Sequence, residues 1–210
     1  MQVMVRQGII AAGLAIAVSG CGTPGPDKQA NLSAKTQHEA DRFIKEKGAA
    51  IAFIASAGKN LLGHPVECGS VRLRRIDGDQ QFETVSISTG SGFRLFKGYS
   101  AKNPRKDGYR IDFKPIVPGK YIVTGLYCDS GYVQPHRFSS KEMPIAGANT
   151  IIVGQNEIVD AGSLHFQADF NGRGFLVSYP ADSEYKTNVR KHMPNLAPRV
   201  TYKTFTPSFL

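Results

Sequence analysis

The spacing of hydrophobic and polar positions changes twice along the chain. Residues 8–18 form an unbroken apolar run, GIIAAGLAIAV. Residues 33–47 then have helical spacing, with Ser33 or Thr36 as capping candidates and Gly48 as a C-cap, so we predict a helix ending at Lys47. From Ala49 onwards apolar and polar residues alternate, which is the pattern of half-buried strands.

The alternating segments predict a mainly β domain. Turn residues separate them, as at Pro118-Gly119, and Asp182 is a candidate cap for a second helix, Ser183–His192. The fold class we expect is an antiparallel β-sandwich with one N-terminal and one late short helix. The strand candidates are residues 50–55, 66–76, 82–88, 93–96, 109–113, 118–128, 149–153, 157–160, 162–170, 175–177 and 199–205.

One strand candidate carries a family resemblance. Residues 118–127, PGKYIVTGLY, resemble the strand signature of transthyretin-like and carboxypeptidase-regulatory-like β-sandwich domains, in which a Pro-Gly turn feeds a central strand. The resemblance covers about a dozen residues, and any β-hairpin can use such a Pro-Gly turn. It implies a fold, and no functional residue follows from it.

The N-terminus has the three parts of a secretory signal: a short segment with Arg6, an apolar run, and small residues before Cys21. The run is shorter than the roughly 20 residues that cross a bilayer. Val18-Ser19-Gly20-Cys21 resembles the lipobox of bacterial lipoproteins. The resemblance implies cleavage before Cys21 and acylation of its sulfur and amino group. An ordinary signal peptide or a buried N-terminal helix is the alternative.

These observations predict three parts: residues 1–20 as a signal peptide, 21–32 as a lipidated flexible tether, and 33–210 as a single domain. Gly22, rather than Asp, follows the cysteine. In the enteric sorting rule for lipoproteins with such a motif, a residue other than Asp after the cysteine favours the outer membrane. We therefore expect a protein that is lipid-anchored on the periplasmic side of the cell envelope.

The cysteine count agrees with that compartment. There are three cysteines, and acylation of Cys21 would leave Cys68 and Cys128. An even pair in an oxidising compartment predicts one disulfide, although two buried free thiols are the alternative.

Charge points to anionic partners. The formal net charge is +9, and Arg6 is the only charged residue in residues 1–20, so the mature chain stays basic. Anionic cell wall or lipid head groups fit this charge, whereas nucleic acid does not fit the compartment. A solvated basic face is the simpler alternative. The candidate contacts are Arg72, Arg74, Arg75, Lys102, Arg105, Lys106, Lys186, Arg190 and Lys191.

Catalytic and cofactor motifs are missing from the sequence. The five histidines do not have metal-ligand spacing, and no nucleophile elbow or phosphate-binding loop occurs. We therefore predict no cofactor, no metal and a non-catalytic binding or scaffolding role. Two alternatives stay open: an envelope enzyme with a site built from distant residues around His136 or His165, and an accessory subunit of an envelope machine that contacts another envelope protein.

Overall fold

The computed structural model describes residues 26–58, 66–79, 83–89, 113–128, 131–133, 144–168 and 174–208. Two α-helices, eleven strands and one 3₁₀ turn lie in these ranges. The elements are α1 (Pro26–Lys47), β1 (Ala49–Ala57), β2 (Val66–Arg75), β3 (Thr84–Ser88), β4 (Lys114–Ile116), β5 (Gly119–Cys128), β6 (Gly131–Val133), β7 (Ala146–Gly147), β8 (Thr150–Val153), β9 (Ile158–Ala168), β10 (Gly174–Tyr179), α2 (Ser183–His192), the 3₁₀ turn (Ala197–Arg199) and β11 (Val200–Tyr202).

All eleven strands belong to one mixed sheet. Its main path is β6-β5-β2-β1-β9-β10-β7, and β3, β4, β8 and β11 pair beside β2, β1, β5 and β9. The pairs β1–β9, β9–β11 and β7–β10 are parallel. The prediction of a mainly β chain with two helices is confirmed, but the antiparallel arrangement is wrong at these pairs. Alternation reports which face a residue occupies and not which distant strand lies beside it.

The sheet curls because one segment pairs with β10 near one end of its path and with β5 near the other. Residues 145–153 contain β7, which pairs with β10, and β8, which pairs with β5. Val123 of β5 forms two more backbone hydrogen bonds with this segment. Its amide donates to the Asn149 carbonyl at 2.8 Å, and its carbonyl accepts from the Ile145 amide at 3.1 Å. The inner surface of the curled sheet holds the larger apolar core, which includes Ile51, Phe53, Leu73, Val123, Leu164 and Phe205.

The two helices lie on the outer surface of the same sheet. Ala40 and Phe43 of α1 and Tyr185 and Val189 of α2 pack in a second core with Ala50, Ala52 and Ile158. An Arg199–Asp41 ion pair, 2.6 Å from Nη2 to Oδ1, links the 3₁₀ turn to α1. We call α1, α2 and this turn the helical layer. Because α1 and α2 share one apolar cluster, they lie on the same side of the sheet.

The helix limits test two predictions. The second helix is confirmed at Ser183–His192, and the Asp182 carboxylate accepts a hydrogen bond from the Tyr185 amide at 2.6 Å. The first helix ends at Lys47 as predicted but begins at Pro26 rather than Ser33, so residues 26–32 of the predicted tether are helical. Proline suits the first position of a helix, because its missing N–H would have no intrahelical partner there.

A glycine explains why two predicted strands are one. β9 was expected as separate segments, 157–160 and 162–170, and the structure shows a continuous strand with a register shift against β1. Gly162 has φ +65°, and a Cβ there would lie 2.2 Å from the Tyr179 carbonyl oxygen. Only glycine fits this close approach, so the strand bends at that point without ending.

Candidate functional site

A polar surface covers the outer face of β2 and β3 and reaches Tyr127 of β5. In the pairing register, Ser70 lies opposite Ser88, Arg72 opposite Ser86 and Arg74 opposite Thr84. Directly opposite residues point to the same face of a sheet. On the other side of β2, Tyr127 of β5 lies opposite Ser70. We call this surface the polar strand face. Its members are Ser70, Arg72, Arg74, Thr84, Ser86, Ser88 and Tyr127.

The alternation of the strands produces this surface. Val71, Leu73 and Ile87 are at most 1% exposed and belong to the inner core, so the residues between them point outwards. All three hydroxyl residues of β3 are exposed, whereas Ile87 is buried. The face therefore combines cations and hydroxyl groups above an apolar support.

Arg72 is held against an aromatic ring. Its Nη2 donates a hydrogen bond to the Tyr127 hydroxyl, and its guanidinium carbon lies 5.4 Å from the centroid of the same ring. Tyr127 is 36% exposed, one of the few large apolar side chains that are exposed in the described part of the chain. Arg72 and Arg74 also take part in further contacts.

Arg75, the third arginine of β2, does not belong to this face. It lies opposite Tyr121, whose side chain points into the inner core. Its Nε lies 2.9 Å from Asp77 Oδ1, and Asp77 Oδ2 accepts from the Lys120 amide at 2.8 Å. Partial burial opposes ionisation of Asp77, but these hydrogen bonds outweigh it and lower its pKa. The hydrogen bond to Asp77 also raises the pKa of Arg75.

Tyr121 lies opposite Arg75 in the strand pairing. It is 3% exposed, and its hydroxyl donates to the Val117 carbonyl at 2.7 Å. Burial raises the pKa of Tyr121 to about 12. The phenol therefore stays protonated and serves as a hydrogen-bond donor at neutral pH.

The predicted basic residues of α2 have a different environment. Arg190 and Lys191 are exposed, and Lys186 lies with its Nζ 4.7 Å from the centroid of the Tyr202 ring. Throughout the ranges that the structure describes, none of the three forms an ion pair. The structure therefore divides the predicted basic residues between β2 and α2. Lys102, Arg105 and Lys106 lie outside the described residues.

The two later cysteines come together at the end of the polar strand face. Cys68 and Cys128 are register partners on β2 and β5, and their sulfur atoms lie at bonding distance, 2.00 Å. This is the pairing that the cysteine count predicted. Cys21 lies outside the described residues, and its acylation stays a prediction.

His165, one centre of the alternative enzyme hypothesis, lies in a buried polar pair. Ser56 Oγ and His165 Nδ1 are 2.8 Å apart, and the two residues are 2% and 6% exposed. They are register partners on β1 and β9. A nucleophile must reach a substrate, and burial of both side chains favours a structural role for this hydrogen bond. His136, the other centre, lies outside the described residues.

One buried polar contact was missed by sequence reasoning. Asp160 is 0% exposed, and its two carboxylate oxygens accept from the Tyr185 hydroxyl at 2.7 Å and the Gly162 amide at 3.0 Å. The hydrogen bond to Tyr185 fastens α2 to the sheet. An aspartate inside the apolar stretch IVDAGSL was the available signal, since a buried carboxylate needs donors.

Comparisons with protein-family profiles, with curated proteins and with solved structures returned no match for this chain. The resemblances of residues 18–21 and 118–127 therefore stay predictions. Neither described helix combines the length and apolar character needed to cross a bilayer. Among the described residues, no three His, Cys, Asp or Glu side chains form a group that could hold a metal ion.

Proposed function

We propose that this protein is a lipid-anchored, non-catalytic binding protein of the bacterial cell envelope. Residues 1–21 support the anchor, because a short apolar run and small residues precede Cys21. The 68–128 pairing supports the compartment, because disulfides persist where the environment is oxidising. The pairing also leaves the third cysteine, Cys21, available for acylation.

The polar strand face is the proposed binding surface, and its ligand is an anionic cell-wall polymer. The observation that carries this proposal is the register that sets Arg72 and Arg74 among exposed hydroxyls, with Arg72 stacked on Tyr127. Guanidinium groups bind carboxylate or phosphate, and hydroxyl and aromatic groups suit a sugar-containing chain. Because Arg72 is already oriented by Tyr127, its side chain loses little entropy on binding.

A paired-variant experiment tests this surface. We expect Arg72→Gln/Arg74→Gln to lose most retention on purified anionic wall polymer at low salt. The matched control is Arg190→Gln/Lys191→Gln, which removes two positive charges from α2 and should retain binding. Wild-type binding should weaken as salt is raised. Equal losses in both variants, or binding that salt leaves unchanged, would contradict the proposed surface.

Metabolic labelling with a palmitate analogue tests the anchor separately. Wild-type protein should incorporate the label and fractionate with membranes, whereas Cys21→Ser should do neither.

The variant Ser56→Ala tests the alternative that the protein is an enzyme. Because the Ser56–His165 pair is buried, we expect this variant to bind the polymer like wild type. Covalent labelling of Ser56 by a serine-directed phosphonate would instead support catalysis.

A further inference from the structure

We infer that the helical layer rests on anionic lipid head groups of the membrane that holds the anchor, through Lys186, Arg190 and Lys191 of α2. This inference depends on the proposed lipid anchor and adds a second membrane contact to it. Three observations carry it: the charge on α2, the position of α1 beside α2, and the short connection between α1 and Cys21.

The charge on α2 differs from that on α1. In α1 the pairs Lys35–Glu39 and Arg42–Glu46 lie four residues apart, with nitrogen–oxygen distances of 3.9 and 3.8 Å. The segment Ser183–His192 has three basic residues and one acid, Glu184. Those three cations form no ion pair in the described ranges. An unneutralised basic helix is complementary to an anionic lipid surface.

Helix-dipole effects do not account for all of this charge. Arg190 and Lys191 occupy the last turn of α2, where the negative end of the dipole favours cations. Lys186 lies in the first turn, where the dipole disfavours them. Its ammonium is held instead over the Tyr202 ring. An amphipathic aromatic ring beside a lysine is also suited to the level of lipid head groups.

The connection to Cys21 limits the distance between the helical layer and the bilayer. Pro26, the first residue of α1, follows Cys21 by five positions. Five extended residues reach at most about 18 Å. α1 shares an apolar cluster with α2, so the anchor and the α2 cations belong to the same side of the sheet.

Two orientations of α1 on the membrane are compatible with this limit of about 18 Å. A helix of 22 residues is about 33 Å long, so an upright α1 would hold α2 well above the head groups. With α1 lying along the membrane, the exposed side chains of α2 reach the head groups. Charge complementarity selects the second orientation, in which the lipid and the polybasic helix act together.

Vesicle binding by Cys21→Ser protein, prepared as the whole chain from residue 21 onwards, tests the contact without acylation. We expect sedimentation with phosphatidylglycerol-rich vesicles at low salt and none with pure phosphatidylcholine. Arg190→Gln/Lys191→Gln should lower the apparent affinity at least about tenfold. The matched control, Arg72→Gln/Arg74→Gln, should change it less than about twofold. No binding to the anionic vesicles, or equal losses in the two variants, would overturn the inference.

A second measurement reports orientation in the membrane-anchored form. Thr187 of α2 and Ser86 of β3 are both exposed, so each can be changed to cysteine and labelled with a fluorophore. With a quencher on the lipid head groups, we expect strong quenching at position 187 and little at position 86. Equal or reversed quenching would overturn the inference. Palmitate labelling reports the anchor independently, so its failure would be distinguishable from failure of the α2 contact.

Discussion

The polar strand face and the helical layer both carry clustered cations, yet they hold them differently. On the polar strand face, Arg72 is bonded to Tyr127. On α2, Lys186, Arg190 and Lys191 have no carboxylate partner within the described part of the chain. A cation held by a hydrogen bond suits a specific ligand, whereas cations without a carboxylate partner suit a diffuse anionic surface. Local pairing, more than net charge, separates the two proposed roles.

The largest expected effect concerns the disulfide, on which the polar strand face depends. Opening the Cys68–Cys128 bond, which closes a separation of 60 residues, should cost about 4 kcal/mol in the chain-entropy model. Reduced protein should melt at a lower temperature and exchange amide hydrogens fastest in β2 and β5. Mass spectrometry with and without reduction checks the bond itself. Two free thiols in the native protein would contradict the pairing.

A hydrogen bond between Tyr185 and Asp160 holds the helical layer on the sheet, and its removal should have the next largest effect. Tyr185→Phe removes the hydroxyl that donates to buried Asp160. Leaving a buried acceptor short of a donor should lower the free energy of unfolding by about 1–3 kcal/mol. Denaturant titration measures the change, and hydrogen exchange should show it mainly in α2. A loss confined to β2 and β5 would contradict the separation of the two regions.

Acid should weaken the fold through two carboxylates, Glu157 and Asp77, and more through Glu157. Burial opposes ionisation of Glu157, but hydrogen bonds from Lys203, at 2.6 Å, and from the Gly154 amide outweigh it and lower its pKa below the ordinary 4.5. A depressed carboxyl pKa stabilises the fold above the unfolded value, and this stability is lost as pH falls through the folded value.

Melting curves between neutral pH and about pH 3 can separate the two carboxylates. Glu157→Gln should flatten the acid limb clearly, since its side chain is only 17% exposed. Asp77→Asn should flatten it less, because its side chain is 43% exposed and solvent screens the Arg75 pair. An equal or larger effect at Asp77 would contradict this order.

The smallest expected effect sharpens the contrast between the two helices. Glu39→Gln breaks the exposed pair with Lys35 and should cost only about 0.2–0.5 kcal/mol. It also leaves α1 more basic, so binding to phosphatidylglycerol-rich vesicles should increase slightly. Chemical denaturation and vesicle sedimentation measure the two changes. Weaker vesicle binding in this variant would argue against a membrane contact of the helical layer.

Local signals predicted the elements well. The alternation around Val71 and Leu73 gave β2 its buried and exposed faces, and Asp182 marked the start of α2. The predicted start of α1 at Ser33 is wrong, because the Pro/Gly/polar composition of residues 22–32 predicts a tether, whereas proline is favoured in the first turn of a helix and α1 begins at Pro26.

Long-range pairing was beyond the sequence. Nothing local to Ala49–Ala57 indicates that β9 lies beside it in parallel, because this register depends on residues more than a hundred positions later. The candidate site was predicted in part for the same reason. Composition located the cations of β2 and α2, but pairing with Tyr127 and Asp77 depends on tertiary contacts. The Asp160–Tyr185 contact likewise joins a strand to a helix 25 residues away.

The parallel pairing of β1 with β9 sets an order on folding. β1 is the apolar segment AAIAFIASA, almost wholly buried, and one of its edges is completed only by residues 158–166. A chain that emerges from its N-terminus exposes this segment long before β9 arrives, and closing so large a loop is slow. The interval leaves an aggregation-prone strand edge open. The segment 49–57 therefore stays without this partner strand until the last third of the chain is available.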